Sequence, residues 1–298
     1  AGLNYIRKPF FVPNDPYYQY QWHYPQINLP QAWNLTQGSA SVIVAVLDTG
    51  IVTAHPEFNG RLIQGIDMIS DPVAAGDGNG RDTTPEDEGD QETPQGSSYH
   101  GTHVAGTIGA NGNDGAGVAG VDWNCKLMIV RVLGRGGGSV DDIANGILWA
   151  AGLANDTGTL PAQRADVINM SLGGPGLNSV LEQACNAAAN AGVVLVAAAG
   201  NDNTNQPGSP AAFASVISVG AVDLLRQRAP YSNFSSTIDI WAPGGDMSQD
   251  RNGDGFADGV LSCMSNDQDQ LFFAFENGTS MASPHVAGVA ALVKAANP

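Results

Sequence analysis

The 298 residues carry 29 acidic side chains against 12 Lys plus Arg, a net charge of −17, with 43% hydrophobic and only 14% charged residues. Such a chain is long and apolar enough for a domain with a sizeable core, which excludes a disordered protein. Its charge repels nucleic acid and anionic membranes, so neither is expected as a partner, while its clustered acids favour cations.

In chain order, residues 1–40 are rich in Pro, Tyr, Asn and Gln and read as an irregular arm. Residues 41–47 (SVIVAVL) are a short apolar, β-branched run expected as a buried strand that ends at Asp48-Thr49-Gly50. Residues 71–98 are polar and acidic and read as a surface insertion rather than a core element. A helix is expected over 100–110, then a Gly/Asn loop to Gly120, a strand over 127–133, a helix over 140–154 and a strand over 167–171. A helix over 179–191 and strands over 193–199 and 216–222 follow. The last helix starts near Thr279 or Ser280, because Ala282, Val286, Val289, Ala290, Leu292 and Val293 recur at helical spacing. Pro284 is acceptable there only in a first turn. Strands alternate with helices and are apolar throughout, which predicts an α/β fold: a doubly wound parallel sheet with helices on both faces, in one domain covering 1–298.

No apolar run is long enough to cross a bilayer. With no visible signal peptide, a secreted chain is expected here in mature form. Cys125, Cys185 and Cys263 form no C-x-x-C pair, which argues against zinc and thioredoxin sites and leaves one thiol over if the others pair. In doubly wound sheets the working groups sit at the carboxyl ends of strands. That points to Asp48, to Ser171–Gly174 and to Gly200-Asn201, with His100 and Ser280 each opening a helix after a loop. The stretch FENGTSMASPHVAG (275–288) holds three hydroxyls, Thr279, Ser280 and Ser283, and a hydroxyl at a helix start is either a cap or a nucleophile at a positive helix end.

Two cation loops are legible directly. Residues 250–258 read D-x-N-x-D-G-x-x-D, alternating oxygen ligands with Gly at the sixth position, as suits calcium held by Asp250, Asn252, Asp254, the backbone of Phe256 and Asp258. It lacks flanking helices and a Glu at position twelve. Asp77, Asn79 and Asp82, with Asp87 and Asp90 following, are a second candidate.

Five strings in order, VAVLDTG, HGTHVAG, SLGGP, AAAGN and NGTSMASPHVAG, closely resemble the subtilisin family of serine proteases, its thermitase branch in particular, over about residues 14–298. The resemblance implies a secreted endopeptidase acting through an acyl-enzyme. Ser280 is then the nucleophile, His100 the general base, Asp48 the group that orients His100, and Asn201 an oxyanion donor acting with the Ser280 N–H. His103 is implied to be structural; an H-x-x-H zinc pair with His100 lacks a usual third ligand. His285 reads as helix packing.

An extended peptide is expected as an added strand between Gly137-Gly138-Ser139 and Ser171-Leu172-Gly173. Ala198, Ala199, Gly200 and Gly208 leave room for a large apolar or aromatic side chain, and Asp202 at the rim is the weaker case for Lys or Arg. The resemblance adds a third calcium site from Asp15, Glu57 in place of the family's usual Asp, the side chain of Asp114, and the backbone carbonyls of Asn111, Ala116 and Val118. Two or three structural ions are expected, with an N-terminal propeptide as folding helper and inhibitor, and a monomer. Members usually run some tens of residues past the nucleophile helix, whereas only 281–298 follow Ser280 here. A cleaved but associated C-terminal segment is therefore an expectation, and it would also account for the odd cysteine. A scaffold that kept calcium but lost activity is the rival; the triad residues and Asn201 are all present against it. A narrow processing protease would line its pocket with several acids, and only Asp202 is a candidate.

Overall fold

In the computed structural model, which describes residues 11–91, 96–206 and 208–298, the run IVAVLD forms a fully buried strand, β1 (Ile43–Asp48). The chain goes on to β2 (Ile66–Asp67), β3 (Lys126–Arg131), β4 (Val167–Met170), β5 (Gly174–Pro175), β6 (Val194–Ala198), β7 (Gly208–Ser209), β8 (Ile217–Val222) and β9 (Ile240–Pro243). A hairpin of β10 (Val260–Met264) and β11 (Phe272–Glu276) follows. One seven-stranded sheet has the order β2-β3-β1-β4-β6-β8-β9, every neighbouring pair parallel. β1 is the starting strand, with β3 on one side and β4 on the other, so the sheet's direction of growth switches between β1 and β4. Crevices for ligands form at such switch points.

The helices are α1 (His23–Gln26), α2 (Leu29–Ala32), α3 (Pro72–Ala75), α4 (His100–Gly109), α5 (Val140–Ala150), α6 (Ser179–Asn190) and α7 (Thr279–Ala296). The period-two alternation of a strand sends Ile43, Ala45 and Leu47 to a core shared with α5 and α6. It sends Val44 and Val46 to a second core shared with α4 and α7. Both faces are covered, which is why the strands are apolar on both sides.

Three expectations needed revision. The arm expected over 1–40, of which 1–10 lie outside the described residues, is not wholly irregular: α1 and α2 are single turns, too short to leave a periodic signal, and Tyr24, Leu29 and Trp33 bury themselves against Val121, Trp123 and Leu292. Residues 71–98 are not all surface. Ile51 bridges to Glu86, the Asp87 N–H donates to the Ile51 carbonyl at 3.0 Å, and Asp87 and Asp90 are buried. Pro284 lies in the second turn of α7, not the first. Proline removes the N–H that would bond the Ser280 carbonyl; the Ser171 hydroxyl donates to that carbonyl instead, at 2.8 Å. The three cysteines are free and buried.

Candidate active site

Asp48 ends β1 and is completely buried, while His100 opens α4 with its side chain a quarter exposed; Asp48 Oδ1 accepts from His100 Nδ1 at 2.7 Å and from the Thr49 N–H at 2.8 Å. Because Nδ1 carries the proton, Nε2 is the nitrogen left as a base. Burial disfavours the imidazolium, but the charge and hydrogen bond of Asp48, with Glu276 and Asp90 adding theirs, outweigh it and raise the His100 pKa to about 9.

The three hydroxyls at the start of α7 separate by their partners. Thr279 is fully buried, donates to Asn201 Oδ1 at 2.9 Å and accepts from the Gly200 N–H at 3.0 Å. Ser283 is fully buried and donates to Asn169 Oδ1 at 2.7 Å. Ser280 alone is half-buried and borders the cleft. Its Oγ donates to the Ser171 carbonyl at 3.2 Å. The N–H of Asn201's partner, Thr279, also donates to Asn201 Oδ1, at 2.9 Å. With Oδ1 pinned by two donors, the Asn201 Nδ2 remains as a donor. Beside it the Ser280 N–H lies in the first turn of α7, whose N–H groups have no intrahelical acceptor.

A cleft of about 470 Å³ opens beside Ser280, lined by Ser171–Gly173, Ala198–Asp202 and Gly208, together with Thr204, Gln206 and Asn233. Its size suits a large side chain. Asn233 was not legible in the sequence, since it lies between elements and carries no motif. It holds the pocket wall: Nδ2 donates to the Ala199 carbonyl at 2.8 Å and Oδ1 accepts from the Asp202 N–H at 3.0 Å. Gly200 has φ +101°, and a Cβ there would strike the Asn233 amide. A second cleft of about 540 Å³, lined by Gly137, Gly138, Val140 and Ile143 among others, adjoins the first across Leu172 and Gly173. Ser139 does not line either cleft; its hydroxyl caps α5, accepting from the Asp142 N–H at 3.0 Å.

His103 is wholly buried and donates from Nε2 to the Val260 and Ala274 carbonyls at 3.0 and 3.2 Å. That nitrogen therefore cannot serve a zinc pair. Burial, then the His100 charge, lowers its pKa to about 3. His285 does more than pack: Nδ1 donates to the Met281 carbonyl at 2.7 Å, so its Nε2 accepts from His23 Nδ1 at 2.8 Å.

Among the described residues, no group of three or more His, Cys, Asp or Glu side chains converges tightly enough to hold a metal by itself. Two expected calcium loops nevertheless leave buried carboxylate oxygens without a partner: Asp15 Oδ1 and Glu57 Oε2 in one, Asp258 Oδ1 in the other. Burial, then the Asp114 charge, raises Glu57 to about 8; burial likewise raises Asp15 and Asp258. Asn111 and Asp114 flank the first site, Asn111 giving its N–H to the Glu57 carbonyl at 2.9 Å and Asp114 capping the Ala116 N–H at 2.9 Å. The Val118 N–H lies against the Glu57 carboxyl. In the 250–258 loop, Asp250, Asn252 and Asp254 each accept backbone N–H groups, and Phe256 packs its ring on Tyr20 and Phe275. At 77–82, Asp77 caps the Asn79 N–H at 3.0 Å and Asn79 Nδ2 reaches Asp82 at 3.2 Å. Asp87 and Asp90 turn away from that loop, toward Thr49 and Ser98.

A doubly wound α/β domain that carries an Asp–His pair and a helix-borne, accessible serine at the same end of its sheet has the constellation of a serine hydrolase. The model of the subtilase family matches residues 39–298, and the chain belongs to that family. It is 44% identical to an extracellular protease of Xanthomonas campestris over 96% of this chain and 50% of that protein. It is 35% identical to thermitase of Thermoactinomyces vulgaris over 95% of this chain and 85% of that one. A solved protease of Pseudoalteromonas arctica superposes with a TM-score of 0.89 at 45% identity, over 95% of this chain and 86% of the other. The chain spans 50% and 48% of the length of two curated relatives it matches, the Xanthomonas protein and an extracellular basic protease of Dichelobacter nodosus.

Proposed function

We propose that the chain is a secreted serine endopeptidase that cleaves protein or peptide substrates through an acyl-enzyme. The observation that carries this reading is the 2.7 Å hydrogen bond between Asp48 and His100 at the same end of the sheet as Ser280, the one half-exposed hydroxyl of its turn. His100 Nε2 takes the Ser280 proton as Oγ attacks the scissile carbonyl and returns it to the leaving amine; Asp48 keeps the imidazole in that tautomer and stabilises the imidazolium. Asn201 Nδ2 and the Ser280 N–H receive the oxyanion. The substrate backbone lies as a strand between Gly137-Gly138 and Ser171–Gly173, and its residue before the scissile bond, large and apolar or aromatic, fills the 470 Å³ cleft. Asp202 on the rim supports a subsidiary tolerance for Lys or Arg, which Asp202→Ala would abolish.

Extracellular action is supported by the names of two relatives and by the lack, among the described residues, of a helix long and apolar enough to cross a membrane. A monomer with an N-terminal propeptide belongs to the same reading. Calcium fits two of the three expected sites, where orphaned buried oxygens of Asp15, Glu57 and Asp258 call for a cation. Bound there, it would clamp surface loops against unfolding and self-digestion. The test is cleavage of a chromogenic peptide with Phe before the scissile bond, with and without a phosphonyl fluoride and with Ser280→Ala alongside. Loss of activity in both cases, with the label on Ser280, is expected; full activity in Ser280→Ala would end the assignment.

A further inference from the structure

α4 starts without a cap of its own. Tyr99 occupies the N-cap position with φ +49° and makes no side-chain cap bond. The first N–H groups of a helix have no intrahelical acceptor, and here the first two belong to His100 itself and to Gly101. Both are met by hydroxyls from outside the helix: Ser98 Oγ accepts from the His100 N–H at 3.3 Å, and Thr49 Oγ1 from the Gly101 N–H at 3.0 Å.

A hydroxyl that accepts an N–H still has one proton to place, and where it goes fixes the oxygen's orientation. Both protons go to carboxylates of the acidic segment. Thr49 Oγ1 donates to Asp87 Oδ2 at 2.5 Å, and Ser98 Oγ donates to Asp90 Oδ2. The second oxygen of each carboxylate is occupied too: Asp87 Oδ1 by the Gly89 N–H at 3.0 Å, Asp90 Oδ1 by the Ser98 N–H at 2.8 Å. Both acids are buried, Asp87 6% and Asp90 3% exposed. Residues 85–87 are tied to the end of β1, with the Ile51 N–H on the Pro85 carbonyl at 3.1 Å.

Thr49 joins the two halves of this arrangement. Its N–H donates to Asp48 Oδ1, the same oxygen that receives His100 Nδ1, while its hydroxyl holds the residue next to His100. A Cβ on Gly101 would overlap the Gly50 carbonyl oxygen, so strand end and helix start are in direct contact. We propose that Asp87 and Asp90 are positioning residues for the catalytic histidine: each holds a hydroxyl, of Thr49 and Ser98, that caps the start of α4 and fixes His100 against Asp48. The acidic segment thereby acts as a buttress of the triad. This rests on the proteolytic reading above.

The groups facing His100 are Asp48, Glu276, Asp90 and His103; Asp87 faces Arg131 and Asp90. The experiment compares Asp87→Asn, Thr49→Val, Thr49→Ser and the half-exposed Ser98→Ala with the unaltered protein and with Ser280→Ala. Turnover and KM, the pH profile of kcat/KM, the low-field NMR resonance of the His100 Nδ1 proton and the thermal midpoint are recorded for each. Misplacing a catalytic group by about 1 Å costs up to about 10²-fold. Asp87→Asn, Thr49→Val and Ser98→Ala are expected to lose kcat on that scale with KM little changed, to lower the pH midpoint of kcat/KM and to shift or broaden the Nδ1 resonance. Thr49→Ser is expected to restore all three. Inactivity of the unaltered protein would sink the proteolytic reading, yet the Nδ1 resonance would still report on positioning. An active parent, dead in Ser280→Ala, whose Thr49→Val and Ser98→Ala variants keep its kcat, pH midpoint and resonance would overturn the positioning role. So would losses that follow the thermal midpoint alone.

Discussion

Ser171 and Ser280 exchange two hydrogen bonds: the Ser171 hydroxyl donates to the Ser280 carbonyl at 2.8 Å, and the Ser280 hydroxyl donates to the Ser171 carbonyl at 3.2 Å. The first exists because Pro284 cannot donate to that carbonyl. Leaving a buried acceptor unpaired costs about 1–3 kcal/mol, so Ser171→Ala should destabilise the fold by that amount. Pro284→Ala supplies the missing N–H, and in a Ser171→Ala background it should recover most of the loss. A double-mutant cycle by urea unfolding that gave additive effects would show that the two sites are independent.

In the proposed mechanism the base must be neutral to accept the Ser280 proton, so kcat/KM should rise as His100 loses its proton. Asp48 raises the His100 pKa to about 9, placing the rise on the alkaline side of the ordinary histidine range near 6.5. In Asp48→Asn the raising charge is gone; the midpoint should fall and turnover should collapse, the hydrogen bond no longer dictating the tautomer. A pH–rate profile with an unshifted midpoint in Asp48→Asn would contradict the assignment.

Asn201 is held by Thr279 through Oδ1, which in the proposed mechanism leaves Nδ2 for the oxyanion. Asn201→Ala should lower turnover with little change in KM, because the donor meets charge only in the transition state. In subtilisin, a member of this family, loss of such a donor is known to cost about 10²–10³ in kcat. Steady-state kinetics on the chromogenic peptide decide it; a change confined to KM would assign Asn201 to ground-state binding.

What the sequence could show tracks how local the cause is. The apolar runs of β1, β3, β4, β6 and β8 and the helices α4 to α7 are set by patterns within a few residues, and their ends fall within a few residues of expectation. The Asp48, His100 and Ser280 strings are equally local. Asn233, the Ser171–Ser280 exchange and the Asp87–Thr49 pair depend on residues brought together from 31 to 109 positions apart, and nothing in the sequence marks such pairs. β2, β5 and β7 are two residues long, too short to carry a pattern, and β9, β10 and β11 lie among loops rich in Gly, Asp and Asn that mask short strands.

Calcium should stabilise the folded protein in proportion to its free concentration, by about 2.7 kcal/mol at a hundredfold excess over Kd for one site. Stripping with a chelator is expected to lower the thermal midpoint and speed self-digestion. Glu57→Gln should remove part of the effect and Asp258→Asn another part, since each replaces a carboxyl group whose buried oxygen has no partner. Calorimetric titration of the Ser280→Ala protein measures this without autolysis; identical midpoints with calcium and with chelator would remove calcium from the account.

His23 and His285 form a buried pair in which each neutral ring carries its proton on Nδ1: Nδ1 of His285 serves the Met281 carbonyl, and Nδ1 of His23 serves His285 Nε2. Burial lowers His285 to about 4, and burial, then His285, lowers His23 well below 6.5. A depressed folded pKa favours the native state above the unfolded value and loses that advantage as pH falls toward the folded value. This pair should therefore contribute a loss of stability between about pH 6.5 and pH 4. His285→Gln lacks one of the two titrating rings and should lose less stability than the parent over that interval, although it is less stable at pH 7. Urea midpoints across the range, taken with Ser280→Ala in both proteins to prevent autolysis, test the slope; parallel curves would mean that the pair does not set the acid limit.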